Sequence, residues 1–420
     1  MMDPQRPRIR LFYWLQSAYM RKLTPSGRII FWILVLSSGL GFYSFTIKIY
    51  YVFIILFALF FVSFIYTGLF SYLKPPRLEV SHAPPGRSTC GHSVRVRIQV
   101  RNLSAKNYYD LTVTEGALPP FIHEHQEGAH YIPHLPPHGE TSCEVVLEFT
   151  RRGHYVLPGI EVESSFPFGI GKGMRRFPQE KSLLVYPRFH HLTSLDIPVG
   201  KRYQPGGIAL TSNLGESTEF ICTREYRVGD SPRFIHWRSS ARLGKPVVKE
   251  FQEEYFCRIA LLLDTYVPPG SKQKAFESLE AAISLSAAVA DNLSRKEYII
   301  DIFAAGPNVY HLQAGRSLAY LENILDILAC IEHCSTPPFE KLEPILLENL
   351  SQITTCIMVF LDWDEPRERL VRTARALGTA VKAIIVRDGA PSADPAPYEG
   401  LVGKIALISP DDEKRGIATL

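Results

Sequence analysis

The sequence predicts a three-part chain: a two-helix transmembrane hairpin, an antiparallel β-sandwich and a doubly wound α/β domain. Three observations carry this expectation. Residues 29–69 are almost wholly apolar, with Lys48 the only charge among them. Residues 78–186 contain short stretches of alternating polarity separated by turn residues. From Arg258 onward, apolar runs of strand length alternate with helical patterns. A chain of 420 residues is long enough for two or three domains of ordinary size.

The apolar stretch comes first. It is about twice the length of roughly 20 residues that a helix needs to cross the hydrocarbon. It therefore reads as two helices, near residues 29–45 and 49–69, joined by a turn around Lys48. Arg21, Lys22 and Arg28 precede the pair, and Lys74 and Arg77 follow it. The positive-inside rule then places both ends in the cytoplasm. Residues 1–28 form a basic, aromatic segment (Arg10, Phe12, Trp14, Tyr19, Arg21) that suits an interfacial helix in a headgroup layer; a frayed basic tail is the competing reading. The hairpin region runs over residues 29–73. The formal net charge is +4, and residues 1–28 carry six basic groups against Asp3, so the rest of the chain is about −1. That balance does not suit nucleic acid. Seven cysteines with no framework spacing indicate free thiols in a reducing compartment. Cys330-x-x-x-Cys334 with His333 lies in a helical pattern and reads as structural.

The sandwich is expected over residues 76–187, of immunoglobulin-like type. Val94, Val96, Ile98 and Val100 alternate with Arg95, Arg97, Gln99 and Arg101, as in a half-buried strand. Turn residues at Asn102, Pro119-Pro120, Pro136-Pro137 and Pro158-Gly159 punctuate the rest. Residues 188–256 are less regular and link the domains. In 257–420, strands at 259–263, 298–303, 356–361, 381–386 and 405–408 alternate with helices, which argues a parallel sheet covered on both faces.

In such a sheet, ligands sit beyond the carboxyl ends of the strands. Asp264 and Asp362 both fall there, and such a pair suits a divalent cation such as Mg²⁺. The arrangement resembles the von Willebrand factor A domain, whose metal site begins Asp-x-Ser-x-Ser. Here the run is Asp264-Thr265-Tyr266-Val267-Pro268, with Tyr and Pro where the hydroxyls belong, so no cofactor is expected. His123, His125, His130, His134 and His138 crowd one proline-broken loop with a zinc-like His-x-His spacing but no partner spacing to match. Gly206, Gly207 and Gly215 lack the lysine and the strand-to-helix setting of a phosphate loop. No Gly-x-Ser-x-Gly is present.

The densest chemistry lies between Arg224 and Arg242. This run holds five arginines with Tyr226, Gly229, Asp230 and Trp237. Over residues 216–254, seven positive charges meet seven negative ones. Compensation of that kind argues for ion pairs, since arginine binds carboxylates bidentately. One reading is an ionic clasp between domains; another is a partner surface, because Arg, Tyr and Trp make interface anchors.

At this run the chain resembles a bacterial family known as domain of unknown function 58. The shared residues are Glu219, Arg224, Tyr226, Gly229, Asp230, Arg233, Ile235, Trp237, Ser240, Ala241, Arg242, Lys249 and Glu250. Arg152-Gly153-x-Tyr155, Pro167-Phe168-Gly169 and Tyr186-Pro187 also look like the family, with Phe166 in place of a usual Asp. The resemblance implies a bacterial inner-membrane protein with a cytoplasmic sandwich and a von Willebrand factor A-like domain. It implies a non-enzymatic adaptor or assembly factor working with a MoxR-type AAA+ ATPase, often alongside a transglutaminase-like membrane protein. A metal-dependent binding protein and a cell-envelope hydrolase accessory are the alternatives.

Overall fold

The computed structural model describes residues 22–44, 47–68, 76–125, 130–198, 220–227, 230, 232–251, 258–296, 298–305, 309–314 and 318–420. The basic segment 1–21, the glycines at 206, 207 and 215, and the signature residues Glu219 and Gly229 lie outside them. The chain forms two compact units, Met1–Arg188 and Phe189–Leu420.

The first unit opens with helices α1 (Pro25–Ser44) and α2 (Ile47–Gly68). They meet through Phe31 and Phe60, whose ring centroids are 6.1 Å apart, and leave Trp32, Leu36 and Ile55 exposed. The transmembrane hairpin, and the inner-membrane location with cytoplasmic domains that depends on it, is corrected here. Among the described residues no helix is long and apolar enough to cross a membrane. The division of the apolar run into two helices is as expected, with residues 45, 46 and 69 outside the description. The first turn of α1, from Pro25 to Arg28, is polar, and the residues just before it are fastened to the sandwich. The Thr24 amide donates to the Ile170 carbonyl at 3.0 Å, and Leu23 bridges Gly171.

Nine strands follow: β1 (Leu78–Ala83), β2 (Arg87–Thr89), β3 (Ser93–Asn102), β4 (Tyr108–Glu115), β5 (Ile122–His125), β6 (Tyr131–Leu135), β7 (Glu140–Phe149), β8 (Gly153–Ser164) and β9 (Gly173–Tyr186). They form two sheets, ordered β1-β3-β7-β5 and β2-β9-β8-β4-β6. All pairings are antiparallel except β2 with β9. The period-two pattern of β3 buries Val94, Val96, Ile98 and Val100 and exposes the arginines between them. These valines join Leu111, Leu147, Phe149 and Val162 in one core, each buried side chain contributing about 1.5–3 kcal/mol. Gly159 sits at the β8 bulge with φ +105°, and a Cβ there would stand 2.4 Å from the Phe177 carbonyl oxygen, so only glycine fits.

A buried polar cluster crosses this unit. His82 Nδ1 lies 3.0 Å from Glu115 Oε1, and His82 Nε2 lies 3.0 Å from the Gln179 carbonyl. Glu124 lies nearby in electrostatic terms: burial, and then the charge of Glu115, pushes its carboxyl up to about 7. The proton is therefore held more tightly in the folded chain than in the unfolded one. Stability from this group is full below about pH 4.5 and is lost as pH rises through about 7. We predict that Glu124→Gln removes this slope. Urea titrations of both proteins from pH 5 to 8 should show the variant gaining about 1–2 kcal/mol over the native chain at the alkaline end, after discounting for the partial exposure of Glu124. Parallel curves would refute it.

In the second unit, β10 (Phe220–Glu225), α3 (Trp237–Leu243) and β11 (Val247–Phe251) come first. The two strands pair only with each other among the described strands. Then follow β12 (Arg258–Leu263), α4 (Gln273–Arg295), β13 (Ile299–Ala305), β14 (Val309–Ala314), α5 (Leu318–Cys330), α6 (Phe339–Asn349), β15 (Thr355–Phe360), α7 (Glu365–Ala376), β16 (Ala380–Val386), α8 (Glu399–Val402), β17 (Ala406–Ile408) and α9 (Pro410–Arg415). The sheet order is β14-β13-β12-β15-β16-β17. It is parallel except for edge strand β14, which returns as a hairpin from β13. Ala260, Leu262, Met358 and Phe360 gather with Leu342 and Leu346 of α6 and Leu370 and Val371 of α7. The alternate residues Ile259, Leu261 and Leu263 are equally buried, as expected for strands covered on both faces.

Residues 189–198 strap onto this α/β core. Asn292 donates to the Leu192 carbonyl at 2.9 Å, Lys382 to Asp196 at 2.8 Å and Thr355 to Pro198 at 2.8 Å. The segment after Arg188 is thus part of the second unit in its first ten residues. The thiols of Cys143 and Cys356 are buried, which pushes them up to about 11 and about 12; both are packing residues rather than nucleophiles.

Candidate functional site

The sheet order switches between β12 and β15, so their carboxyl ends open the crevice where α/β folds hold ligands. Asp264 and Asp362 both stand at this edge. Asp264 is fully buried, and its acceptor capacity is used. Oδ1 accepts from the Tyr266 amide at 2.9 Å; Oδ2 accepts from the Leu361 amide at 3.0 Å and from Arg367 Nε and Nη2 at 2.8 and 2.6 Å. Arg367 is itself only 2% exposed. Its Nη1 donates to Asp364 Oδ2 at 2.5 Å, and its guanidinium lies 4.9 Å from the Phe339 ring centroid. Burial pulls the Arg367 pKa down, but Asp264 and Asp364 outweigh it and leave the pKa above its ordinary value. Asp364 also caps α7, accepting from the Arg367 amide at 3.3 Å.

Asp362 is engaged elsewhere. It accepts from the Ser392 amide and hydroxyl at 2.8 and 2.6 Å, from the Trp363 amide at 2.8 Å and from Arg387. Burial pushes this carboxyl up, but Ser392, Arg387 and Trp363 more than offset it and hold it below the usual carboxylate range. A cavity of about 360 Å³ opens here, lined by Tyr266, Lys272, Asp362, Asp364, Arg367 and Arg387 among others. Its other wall residues include Lys274 and Asp388, which pair at 2.6 Å. The carboxylates of the lining, Asp362, Asp364 and Asp388, are thus each already paired with a cation.

A divalent cation does not fit this donor set. It takes six or more oxygens, whereas Asp264 is saturated by two amides and a guanidinium. The Thr265 hydroxyl is buried without a hydrogen-bond partner, and Tyr266 and Pro268 supply no small hydroxyl. The histidine-rich loop is also dispersed. His125 pairs with Glu148 at 2.6 Å, and His134 bonds Asn107 at 3.0 Å and stacks on Tyr109. Among the described residues no group of three or more His, Cys, Asp or Glu is placed to hold a metal ion.

The arginine-rich signature splits into residues that tie its elements together and residues that stand exposed, chiefly on the helix and the turn before it. Arg224 binds Asp230 bidentately at 2.7 and 2.8 Å, and the Arg227 amide donates to Asp230 at 2.8 Å. The Arg224 and Arg227 bonds lower the Asp230 carboxyl to about 2. Ser240 ties α3 to β11: its Oγ donates to the His236 carbonyl at 3.1 Å and accepts from the Val247 amide at 2.9 Å. Gly244 ends α3 in the left-handed region at φ +67°. Lys245 pairs with Glu225, and the Tyr226 amide donates to the Pro246 carbonyl. These residues fix one β–helix–β unit. Arg233, Trp237, Arg238, Arg242, Leu243 and Lys249, by contrast, are exposed, Trp237 at 72%. The side chain of Glu250 lies outside the description.

Arg367 is the residue that sequence reading missed. A helix between the strands at 356–361 and 381–386 was legible, but the role of Arg367 in it was not. The signal that could have found it is the spacing Asp364-x-x-Arg367, one helical turn beyond a buried strand end. Ser392 and Arg387 carry no local signal at all; only the sheet order brings them to Asp362.

Comparison with known proteins agrees with the signature. Residues 222–312 match the family described as "Protein of unknown function DUF58". The chain is 23% identical over 204 residues to "Uncharacterized protein YeaD" of Bacillus subtilis (strain 168), covering 47% of this chain and 48% of that protein. Both findings support the DUF58 family. The chain spans about half the length of this curated relative. Among solved structures, the "ASH / PapD-like domain of human CEP192" is similar at 15% identity and TM-score 0.18, over 27% of this chain and 88% of that one. A GH20 exo-β-N-acetylglucosaminidase from Vibrio harveyi is similar at 10% identity and TM-score 0.15, over 74% and 57%. Neither likeness carries an argument.

Proposed function

We propose that this chain is a non-enzymatic adaptor that docks a protein partner on the outer face of its β10–α3–β11 unit. One observation carries the reading: Trp237 is 72% exposed, among the exposed arginines 233, 238 and 242. Trp237 is exposed together with Phe234 and Leu243 of the same unit, and apolar groups left exposed among arginines suit an interface anchor. The unit is held together by the Arg224–Asp230 fork and the Ser240 tie, so little ordering remains to oppose binding. The partner fitted to this face carries acidic residues around an apolar slot. The family resemblance suggests a MoxR-type AAA+ ATPase in that role. A von Willebrand factor A-like character for the α/β domain belongs to the same reading, supported by the sheet order and by Asp264 at the strand end. Metal-dependent ligand binding finds no support in the donor set around Asp264.

Affinity capture tests this. The full chain should recover the ATPase from a native extract at moderate salt. The double variant Arg238→Glu, Arg242→Glu should lose it while keeping its melting temperature. Equal recovery by both proteins, or recovery of no ATPase by either, would sink the proposal.

A further inference from the structure

We infer that Arg367 is the resident cation of the strand-end carboxylate site, standing where a divalent ion would otherwise bind. Two carboxylates from different elements, Asp264 after β12 and Asp364 at the start of α7, converge on one guanidinium at 2.5–2.8 Å. The guanidinium is buried, faces the Phe339 ring and borders the cavity at the switch point. Asp264, fully buried, with Asp364 beside it at the crevice edge, needs a counter-charge. A divalent ion meets that need only when it is bound, so its site changes with ion supply. A covalently held arginine meets it permanently, since its guanidinium does not lose its proton in proteins. The Asp264–Asp364 pair therefore keeps its counter-charge whether or not divalent ions are present. Thr265 fits the same account. Its hydroxyl is buried and makes no hydrogen bond to Asp264, whose oxygens accept from two amides and the guanidinium instead.

The test uses the full chain, with manganese and magnesium chlorides as probes. Calorimetric titration of the native protein should give no binding heat, and its melting temperature should not differ between chelator and millimolar Mn²⁺. Saturable binding that raises the melting temperature would overturn the inference. Arg367→Ser should melt lower in chelator and recover part of the loss in Mn²⁺, because the two carboxylates then lack a cation. A folded Arg367→Ser protein indifferent to Mn²⁺ would also overturn it. Should that variant not fold, Asp264→Asn with Arg367→Leu decides: the pair folds if Arg367 serves as counter-charge, and failure of the neutral pair contradicts that role.

Discussion

Replacing Asp264 by alanine is expected to destabilise the α/β unit by about 3–5 kcal/mol, the cost of leaving a buried charge without its partner. The physical reason lies in how little water can reach Arg367. Its side chain is 2% exposed, and Asp264 takes two of its donors. After the change, Asp364 alone faces it, from a position that is 36% exposed and therefore a weaker field. The Leu361 and Tyr266 amides lose their acceptor in the same step, which adds the penalty of unsatisfied buried donors. Asp364→Ala should cost much less, about 1 kcal/mol, as the loss of a helix cap. Equilibrium denaturation of Asp264→Ala, Arg367→Met and their combination gives the coupling directly. The double variant should be more stable than Asp264→Ala alone, because the uncompensated charge is gone. Equal losses for Asp264→Ala and Asp364→Ala would contradict this account of the site.

How far the sequence discloses this molecule depends on the range of the interaction involved. Periodicity is local, so Val94, Val96, Ile98 and Val100 announce β3, and the apolar runs at Ile259 and Cys356 announce β12 and β15. Asp264 could be placed at a strand end for the same reason. What its carboxylate holds could not, because Arg367 is 103 residues away, and any of the arginines was an equal candidate. Strand β14 was not foreseen: its short His311-Leu312-Gln313 run lacks a clear alternation, and its pairing with β13 supplies the order that composition does not. The apolar run from Ile29 misled in the opposite sense. Its division into two helices was read correctly, but composition took each helix for a membrane span. The residues just before α1 are instead tied to the sandwich, and no described helix is long and apolar enough to cross a membrane. The signature was legible as an ionic cluster, yet a count of charges cannot say which of them face inward. Arg224 and Asp230 bind each other and are half-buried, while Arg233 and Arg242 stand exposed.

That division sets the second large effect. Trp237→Ala is expected to weaken capture of the partner by about 30-fold or more, which is about 2 kcal/mol and typical of a tryptophan at the centre of an interface. The melting temperature should stay within about a degree of the native value, since substitutions at exposed positions rarely move stability by more than about 0.5 kcal/mol. A role for Trp237 in holding the fold predicts the reverse pairing, with stability lost and binding falling only as the unit unfolds. Leu243→Ala, at the other end of α3 and 58% exposed, should lose affinity less and leave melting unchanged. Val247, which is buried, provides the contrast: Val247→Ala should lower the melting temperature and reduce binding only in proportion to unfolding. Surface plasmon resonance with the purified ATPase, read beside thermal denaturation of each variant, separates the two accounts. Trp237→Ala binding as tightly as the native chain would remove the outer face of α3 from consideration as the docking surface.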